Sequence, residues 1–353
     1  MKICRELIEH PSAWKASDFA SPDDYAFDLG EEHYAAFDEA LSAIRRQGLT
    51  LDDIERSDFQ VPAIADDIAS IFAEIQHGRG FVLVRGFPLD RYSEEELGLI
   101  YWGLGTHMGT GVSQSVMGDR LGHVMDHSKN DPNARAYRNK QDLSLHTDLS
   151  EIVSLLCLAT AKTGGLSQFA SIVTIHNEIL KSHPEYLEPL YQGFRYYRAG
   201  EEGPGEEPVT PWNVPVLAYS EGLVSGRYVR SYLENGAEVL GTPLSELQRR
   251  ALDFFDETAK REDIMLEFLI EPGQAVFQNN YVVLHARSAF EDDIGAGIRR
   301  HLLRLWLDVP AGRPAPREMH LHAGPGIEQQ AGKRPSGEGD AYKSLIEKQD
   351  RPR

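Results

Sequence analysis

His146-Thr147-Asp148 lies in one strand-like run and His285 ends another far downstream, so these residues can meet only in a fold that pairs distant extended segments. In an extended chain residues i and i+2 point to the same face, which lets His146 and Asp148 close on one metal ion. His285 can then complete a facial set of two histidines and one carboxylate, with the remaining coordination positions left open.

The His-x-acid pattern alone is weak, because a chain with 13 histidines and many acids produces it by chance. Two further matches, His176-Asn177-Glu178 and His183-Pro184-Glu185, lie in TIHNEILKSHPEYLEPLY, which reads as a helix, a break at proline and a second helix. On a helix, residues i and i+2 are about 200° apart and cannot chelate together. The run DLSLHTDLSEIVSLLCLATA instead alternates before the motif and is continuously apolar after it, as strands do. His146 and Asp148 therefore pass a geometric filter that the other two pairs fail.

A hydrophobic content of 41% is enough for a substantial core, and we expect one domain over residues 1–332 with a polar tail at 333–353. The formal charge of −19 opposes binding to nucleic acid or to anionic membrane surfaces. No apolar span reaches membrane-crossing length and the first residues lack a signal-peptide core, so a soluble, cytoplasmic protein is expected. The expected partner is a small-molecule substrate, and a homo-oligomer is compatible with this composition. Cys4 and Cys157 are too few for a disulfide scaffold and are not spaced as a zinc pair; Cys157, within SLLCLATA, reads as a buried apolar residue.

Helical spacing in YAAFDEALSAIRRQGL and IADDIASIFAEIQHG predicts a mainly helical region over residues 1–75. GRGFVLVRGFPLD then reads as a buried strand, and SEEELGLIYWGLGTHMG as a helix with a Ser N-cap and an acidic first turn. From RLGHVMD, residues 120–126, onward short strands and turns dominate to LLRLWLD, within a core expected over residues 76–310, with helical insertions around residues 172–192 and in TPLSELQRRALDFFDETAK. That pattern predicts an α+β fold: a double-stranded β-helix, or jelly roll, with a helical N-terminal region and helical insertions. Residues 199–213, rich in Gly, Pro and Glu, read as a solvated loop or a lid, and the segment from His322 onward as a loosely held tail.

The strand after His285 alternates so that Arg300, Leu302, Arg304 and Trp306 share one face, and Arg299, His301, Leu303 and Leu305 the other. An arginine pointing into a barrel needs an anion, and its planar fork suits the far carboxylate of a metal-chelating dicarboxylate. Ser167, in TGGLSQFAS, can donate a hydroxyl to the same carboxylate. On these residues alone a non-catalytic module that binds a small acid or metal, and a zinc hydrolase, remain alternatives, although the second lacks a further general base.

With HTD at 146–148, KTGGLSQFAS at 162–171, the NNYVVLH strand ending at His285 and RRHLLRLWL at 299–307, the chain resembles the taurine dioxygenase-like, or clavaminate synthase-like, family of iron(II)- and 2-oxoglutarate-dependent oxygenases over residues 75–310. The resemblance implies His146, Asp148 and His285 as iron ligands, and Ser167 as the counterpart of the family's usual Thr. It implies Arg300 as the partner of the cosubstrate's far carboxylate, with Arg299 one residue away as the alternative because the link from His285 is long. Arg304 matches a second inward arginine that touches substrate or cosubstrate in some relatives. The implied reaction consumes 2-oxoglutarate and O2, releases succinate and CO2, and hydroxylates a C–H bond. An acid at position 148 argues against halogenation, since the resemblance implies Gly or Ala there in halogenating members.

Other polar clusters receive plainer readings. His123, Asp126 and His127 in LGHVMDH read as surface residues of a loop, and His320 and His322 in MHLHAG lack partners for a built metal site. Tyr137, Arg138 and Asp142 precede the HTD run, where a substrate contact and a strand-edge role compete.

Overall fold

A computed structural model describes residues 2–126, 139–310 and 312–331. The elements run β1 (Ala26–Asp28), α1 (Glu31–Gln47), α2 (Ala65–His77), β2 (Phe81–Arg85), α3 (Glu94–Thr106), β3 (Thr110–Gly111), β4 (Leu121–Val124), β5 (Leu143–His146) and β6 (Ile152–Ala159). They continue with β7 (Thr163–Gly164), β8 (Ser167–Ser171), α4 (Ile172–Ser182), α5 (Leu187–Gln192), β9 (Leu217–Ser220), β10 (Leu223–Gly226), α6 (Arg230–Val239) and α7 (Glu246–Ala259). The chain closes with β11 (Leu266–Phe268), β12 (Gln274–Asn279), β13 (Val283–Arg287), β14 (Phe290–Glu291) and β15 (His301–Asp308).

The larger sheet has the order β1-β2-β12-β6-β15-β3, with β4 also pairing β15, and the smaller has the order β11-β8-β13-β5. Each sheet carries helices on its outer face, which explains why the strands read as continuous apolar runs rather than clean alternations. In β2, Val82 and Val84 join the α1–α3 core while Phe81 and Leu83 point between the sheets to meet Phe169 and Val276. β15 divides the same way: Leu303, Leu305 and Leu307 pack towards α3, and Leu302 faces Phe169 and Cys157 in the interior. In the smaller sheet Leu145, Ala170 and Leu284 pack outward on the core formed with α4, α5 and α7.

Local chemistry sets several boundaries. Ser93 caps α3 by accepting the Glu96 N–H, and Ser245 caps α7 by accepting the Gln248 N–H. The expected helical insertions appear as α4–α5 and α7, whereas α6, which lacks a side-chain cap, has no counterpart among the expected elements.

Four expectations need correction. Residues 2–30 carry short 3-10 turns and β1 rather than α-helix, because this stretch anchors singly through Cys4, Trp14 and Tyr25 instead of presenting a periodic stripe. β5 ends at His146, so Thr147 and Asp148 lie just beyond the strand, where the chain leaves the smaller sheet for β6 of the larger one. Residues 199–213 form an irregular segment that is only partly solvated: Ala199, Glu201, Val209 and Thr210 are buried and Tyr197 bridges Val209, while Pro204, Gly205, Glu207 and Pro208 are exposed. In the segment after His322, Ile327 is buried against Val112, Val116 and Trp306; the tail from residue 332 lies outside the described residues. No described helix is long and apolar enough to cross a membrane.

Candidate metal and cosubstrate site

Strand register brings the distant histidines together. In the smaller sheet His285 of β13 stands opposite His146 of β5 on one side and Phe169 of β8 on the other, and Arg287 stands opposite Ser167. Directly paired residues share a face, so His146, His285, Phe169 and Ser167 all look into the space between the sheets. The imidazole centroids of His146 and His285 are 4.3 Å apart.

Asp148 reaches back to the pair. Its Oδ1 is 3.7 Å from His146 Nε2 and its Oδ2 is 3.8 Å from His285 Nε2, and one donor atom from each of the three residues lies within 4.8 Å of the others. The turn is pinned on all sides: Asp148 N–H donates to Asn280 Oδ1 at 3.1 Å, Asn280 Nδ2 donates to the Ser150 carbonyl at 3.1 Å, and Arg227 Nη1 donates to the Asp148 carbonyl. Thr147 N–H donates to the Tyr228 carbonyl at 2.8 Å.

The donor set fits a divalent metal. His146 Nδ1–H donates to the Ser144 carbonyl at 2.8 Å, which leaves the Nε2 lone pair pointing at Asp148. His285 Nδ1 lies 2.7 Å from the Gln278 amide, and the amide orientation in which Oε1 accepts Nδ1–H frees His285 Nε2 in the same way. Burial, followed by the neighbouring His146, pushes the His285 pKa down to about 3, so the ring is a neutral donor at neutral pH. Burial would raise the Asp148 carboxyl, but the Arg304 guanidinium and the two imidazoles hold it well below the usual carboxylate range. Trp306 Nε1 donates to Asp148 Oδ2 at 2.8 Å, and Arg304 Nη1 to the same oxygen at 3.4 Å.

Arg300 precedes β15 and is buried. Its guanidinium lies over the Phe290 ring at 5.2 Å, with that of Arg287 over the same ring at 4.8 Å. Its Nη1 is buried without a hydrogen-bond partner among the described residues. Burial pushes its pKa down to about 10, which still leaves it cationic at neutral pH. Gly165, at φ +75°, gives it room: a Cβ there would come within 3.2 Å of Arg300 Nε. Ser167 is buried two residues further on. Arg299 turns the other way, and its Nη2 donates to the Asp126 carbonyl at 2.9 Å.

The remaining expectations sort out by position. Arg304 Nε donates to Gln114 Oε1 at 2.7 Å, so this arginine is engaged with Gln114 as well as Asp148. Glu178 pairs with Arg261 and Lys15, remote from any metal group. His183 and Glu185 do touch, at 3.2 Å, because the helix has already ended there, but they are exposed and no third ligand joins them among the described residues. Asp142 accepts the Ala289 N–H, a strand-edge role. His322 lies 3.4 Å from Glu206. His123 sits in strand β4 rather than in a loop, and His127, Tyr137 and Arg138 lie outside the described residues.

Sequence reasoning misses Gln278, Asn280, Arg227 and Gln114. Gln278 and Asn280 carry a signal: polar residues ending the apolar run QAVFQNN need buried partners. Trp306 is on the inward face, and its alternation with Arg304 points it at the same carboxylate.

Comparison with known proteins shows the family and the fold. The sequence profile described as "Taurine catabolism dioxygenase TauD, TfdA family" matches residues 45–306. The chain is 32% identical over 328 residues to the FR-33289 synthase of Streptomyces rubellomurinus, covering 91% of this chain and 96% of that protein. It is 30% identical over 310 residues to the taurine hydroxylase-like protein SAT17 of Stachybotrys chartarum, covering 83% and 77% respectively. In fold it is similar to an asparagine oxygenase solved with Fe(II), 2S,3S-3-hydroxyasparagine and succinate, with a TM-score of 0.64 at 17% identity over 85% of this chain and 100% of that one. It is also similar to the non-heme iron oxygenase OrfP solved with Fe and alpha-ketoglutaric acid, with a TM-score of 0.60 at 16% identity over 86% and 100%. The chain belongs to the taurine catabolism dioxygenase TauD, TfdA family, and its jelly roll is the fold of non-heme iron oxygenases.

Proposed function

We propose that the protein is an iron(II)- and 2-oxoglutarate-dependent hydroxylase of a small molecule, with His146, Asp148 and His285 as the iron ligands. One arrangement carries this reading: two buried donors, Asp148 and His285, and the partly buried His146 converge from the turn after β5, from β13 and from β5, and the same interior holds the Arg300 Nη1, buried and unpartnered among the described residues. A hydrolytic zinc site would use the donors but leave that guanidinium without a task. Bound together, iron(II), 2-oxoglutarate and O2 supply the oxidation that places a hydroxyl on an unactivated C–H bond, with release of succinate and CO2.

The chain's residues orient and hold charge. Arg300, steadied on Phe290, offers a fork to the far carboxylate of 2-oxoglutarate, and the Ser167 hydroxyl serves the same group. Arg304 and Trp306 keep Asp148 ionised and fixed in direction, and Arg304 carries positive charge towards an anionic group of substrate or cosubstrate. Asn280 and Arg227 hold the backbone on both sides of Asp148 so that the carboxylate does not wander. Phe169, Phe290 and Trp306 keep water out of the interior. A cytoplasmic setting suits the two free, buried thiols of Cys4 and Cys157.

The test compares Asp148→Ala with Glu178→Ala and Glu185→Ala for iron content, 2-oxoglutarate consumption and thermal unfolding. Asp148→Ala should lose iron and turnover while staying folded, and the other two should keep both. Full turnover in Asp148→Ala, or iron loss in either of the others, contradicts the ligand assignment.

A further inference from the structure

A second ligand cluster lies outside the interior site. His123 of β4 and His301, the first residue of β15, are diagonal neighbours across the strand pair, since Leu303 is the residue in register with His123. They project from the face of β15 that also carries Leu303, and there they meet Glu94, the first residue of α3. His123 Nδ1 and His301 Nε2 are 2.8 Å apart, His123 Nδ1 is 3.7 Å from Glu94 Oε1, and His301 Nδ1 is 3.7 Å from Glu94 Oε2. One donor atom from each residue lies within 4.8 Å of the other two.

We propose that Glu94, His123 and His301 form a second metal site, for a divalent ion of the zinc class, that staples the first turn of α3 to β4 and to the start of β15. Two ligands on a tetrahedral ion with bonds of 2.0–2.1 Å stand roughly 3.3 Å apart, and the one donor atom that each residue offers lies within 4.8 Å of the other two, so a modest convergence of the side chains reaches that spacing. Glu94 and His123 have half-exposed side chains, so the adjustment is a small side-chain movement with solvent completing the coordination. Two imidazoles and one carboxylate suit zinc, nickel or cobalt better than magnesium or calcium, whose preferred ligands are all oxygen. A cation bound here would take a lone pair from each imidazole and offset the charge of Glu94.

The test is a Co(II) titration of the full chain carrying His146→Ala and Asp148→Ala, which removes the interior donors. One equivalent should bind with the visible absorption of low-coordinate cobalt, Zn(II) should displace it, and adding His123→Ala or Glu94→Ala should abolish it. Should the doubly substituted chain not fold, zinc stoichiometry on the otherwise intact protein gives the same answer: His123→Ala should lower the bound equivalents by one, with Fe(II) binding unaltered. Absence of bound cobalt in the folded double variant, or retention of the full stoichiometry by His123→Ala, overturns the proposal.

Discussion

At the scale of single residues, the candidate site depends on which guanidinium faces which anion. Arg304 already has Asp148 and Gln114, whereas Arg300 has a ring beneath it and an Nη1 that is unpartnered among the described residues. Arg300→Leu should therefore weaken 2-oxoglutarate binding by about 2–3 kcal/mol, roughly 30- to 150-fold in Kd, the worth of charge-assisted hydrogen bonds in a dry site. Iron binding should survive. Arg299→Leu should leave the cosubstrate Kd within about twofold, because that side chain serves the Asp126 carbonyl instead; calorimetric titration of both variants checks the pair. A large loss in Arg299→Leu with none in Arg300→Leu would move the role by one residue. Sequence alternation places Arg300, Arg304 and Trp306 on one inward face, but it does not divide their tasks. That division depends on Phe290, Gln114 and Asp148, which lie outside β15 and meet it only in the folded chain.

At the scale of elements, the turn between β7 and β8 places both Arg300 and Ser167. Gly164 has φ +72°, and a Cβ on it would come within 2.0 Å of the Ala289 carbonyl oxygen, a backbone atom that cannot step aside. Gly164→Ala should destabilise the protein by about 2 kcal/mol or more, from left-handed strain plus the clash, and should raise the KM for 2-oxoglutarate as β14 and Phe290 shift. Denaturant unfolding and steady-state kinetics read the two effects, and unchanged stability would show that the turn tolerates a side chain. The glycine pair in KTGGLS is a turn signal by residue type alone. The capped helices α3 and α7 are also legible, because serine at the N-cap and a periodic apolar face act locally. The segment over residues 2–30 is not legible, because burial of isolated residues such as Trp14 decides it, and neither is α6, whose buried face combines Tyr232 and Leu233 with Asn235, Gly236 and Ala237 rather than a strong apolar stripe. The HTD run carries a strand pattern throughout, yet the ligand geometry depends on its leaving the strand at His146.

At the scale of the whole molecule, burial of ionisable groups sets the response to pH. Burial lowers the pKa of His10, His107, His176 and His320, all outside the candidate iron ligands. A histidine whose folded pKa lies below its unfolded value of about 6.5 takes up its proton more readily in the unfolded chain, so stability falls as pH drops through that value. Glu151, Asp256 and Asp308 have raised pKa values and act in the opposite sense, three carboxyls against the four histidines. The metal-free protein should therefore show a lower Tm at pH 5.5 than at pH 7.5; a Tm that rises on acidification would mean these histidines are not held neutral in the fold. If the two sheets together build one iron and 2-oxoglutarate site, the most direct test is the anaerobic visible spectrum of the Fe(II)-loaded protein as 2-oxoglutarate is added. A metal-to-ligand charge-transfer band should appear and saturate with 2-oxoglutarate, stay absent with Zn(II), and require a far higher 2-oxoglutarate concentration in Arg300→Leu. Stoichiometric Fe(II) binding with no spectral response to saturating 2-oxoglutarate would contradict it.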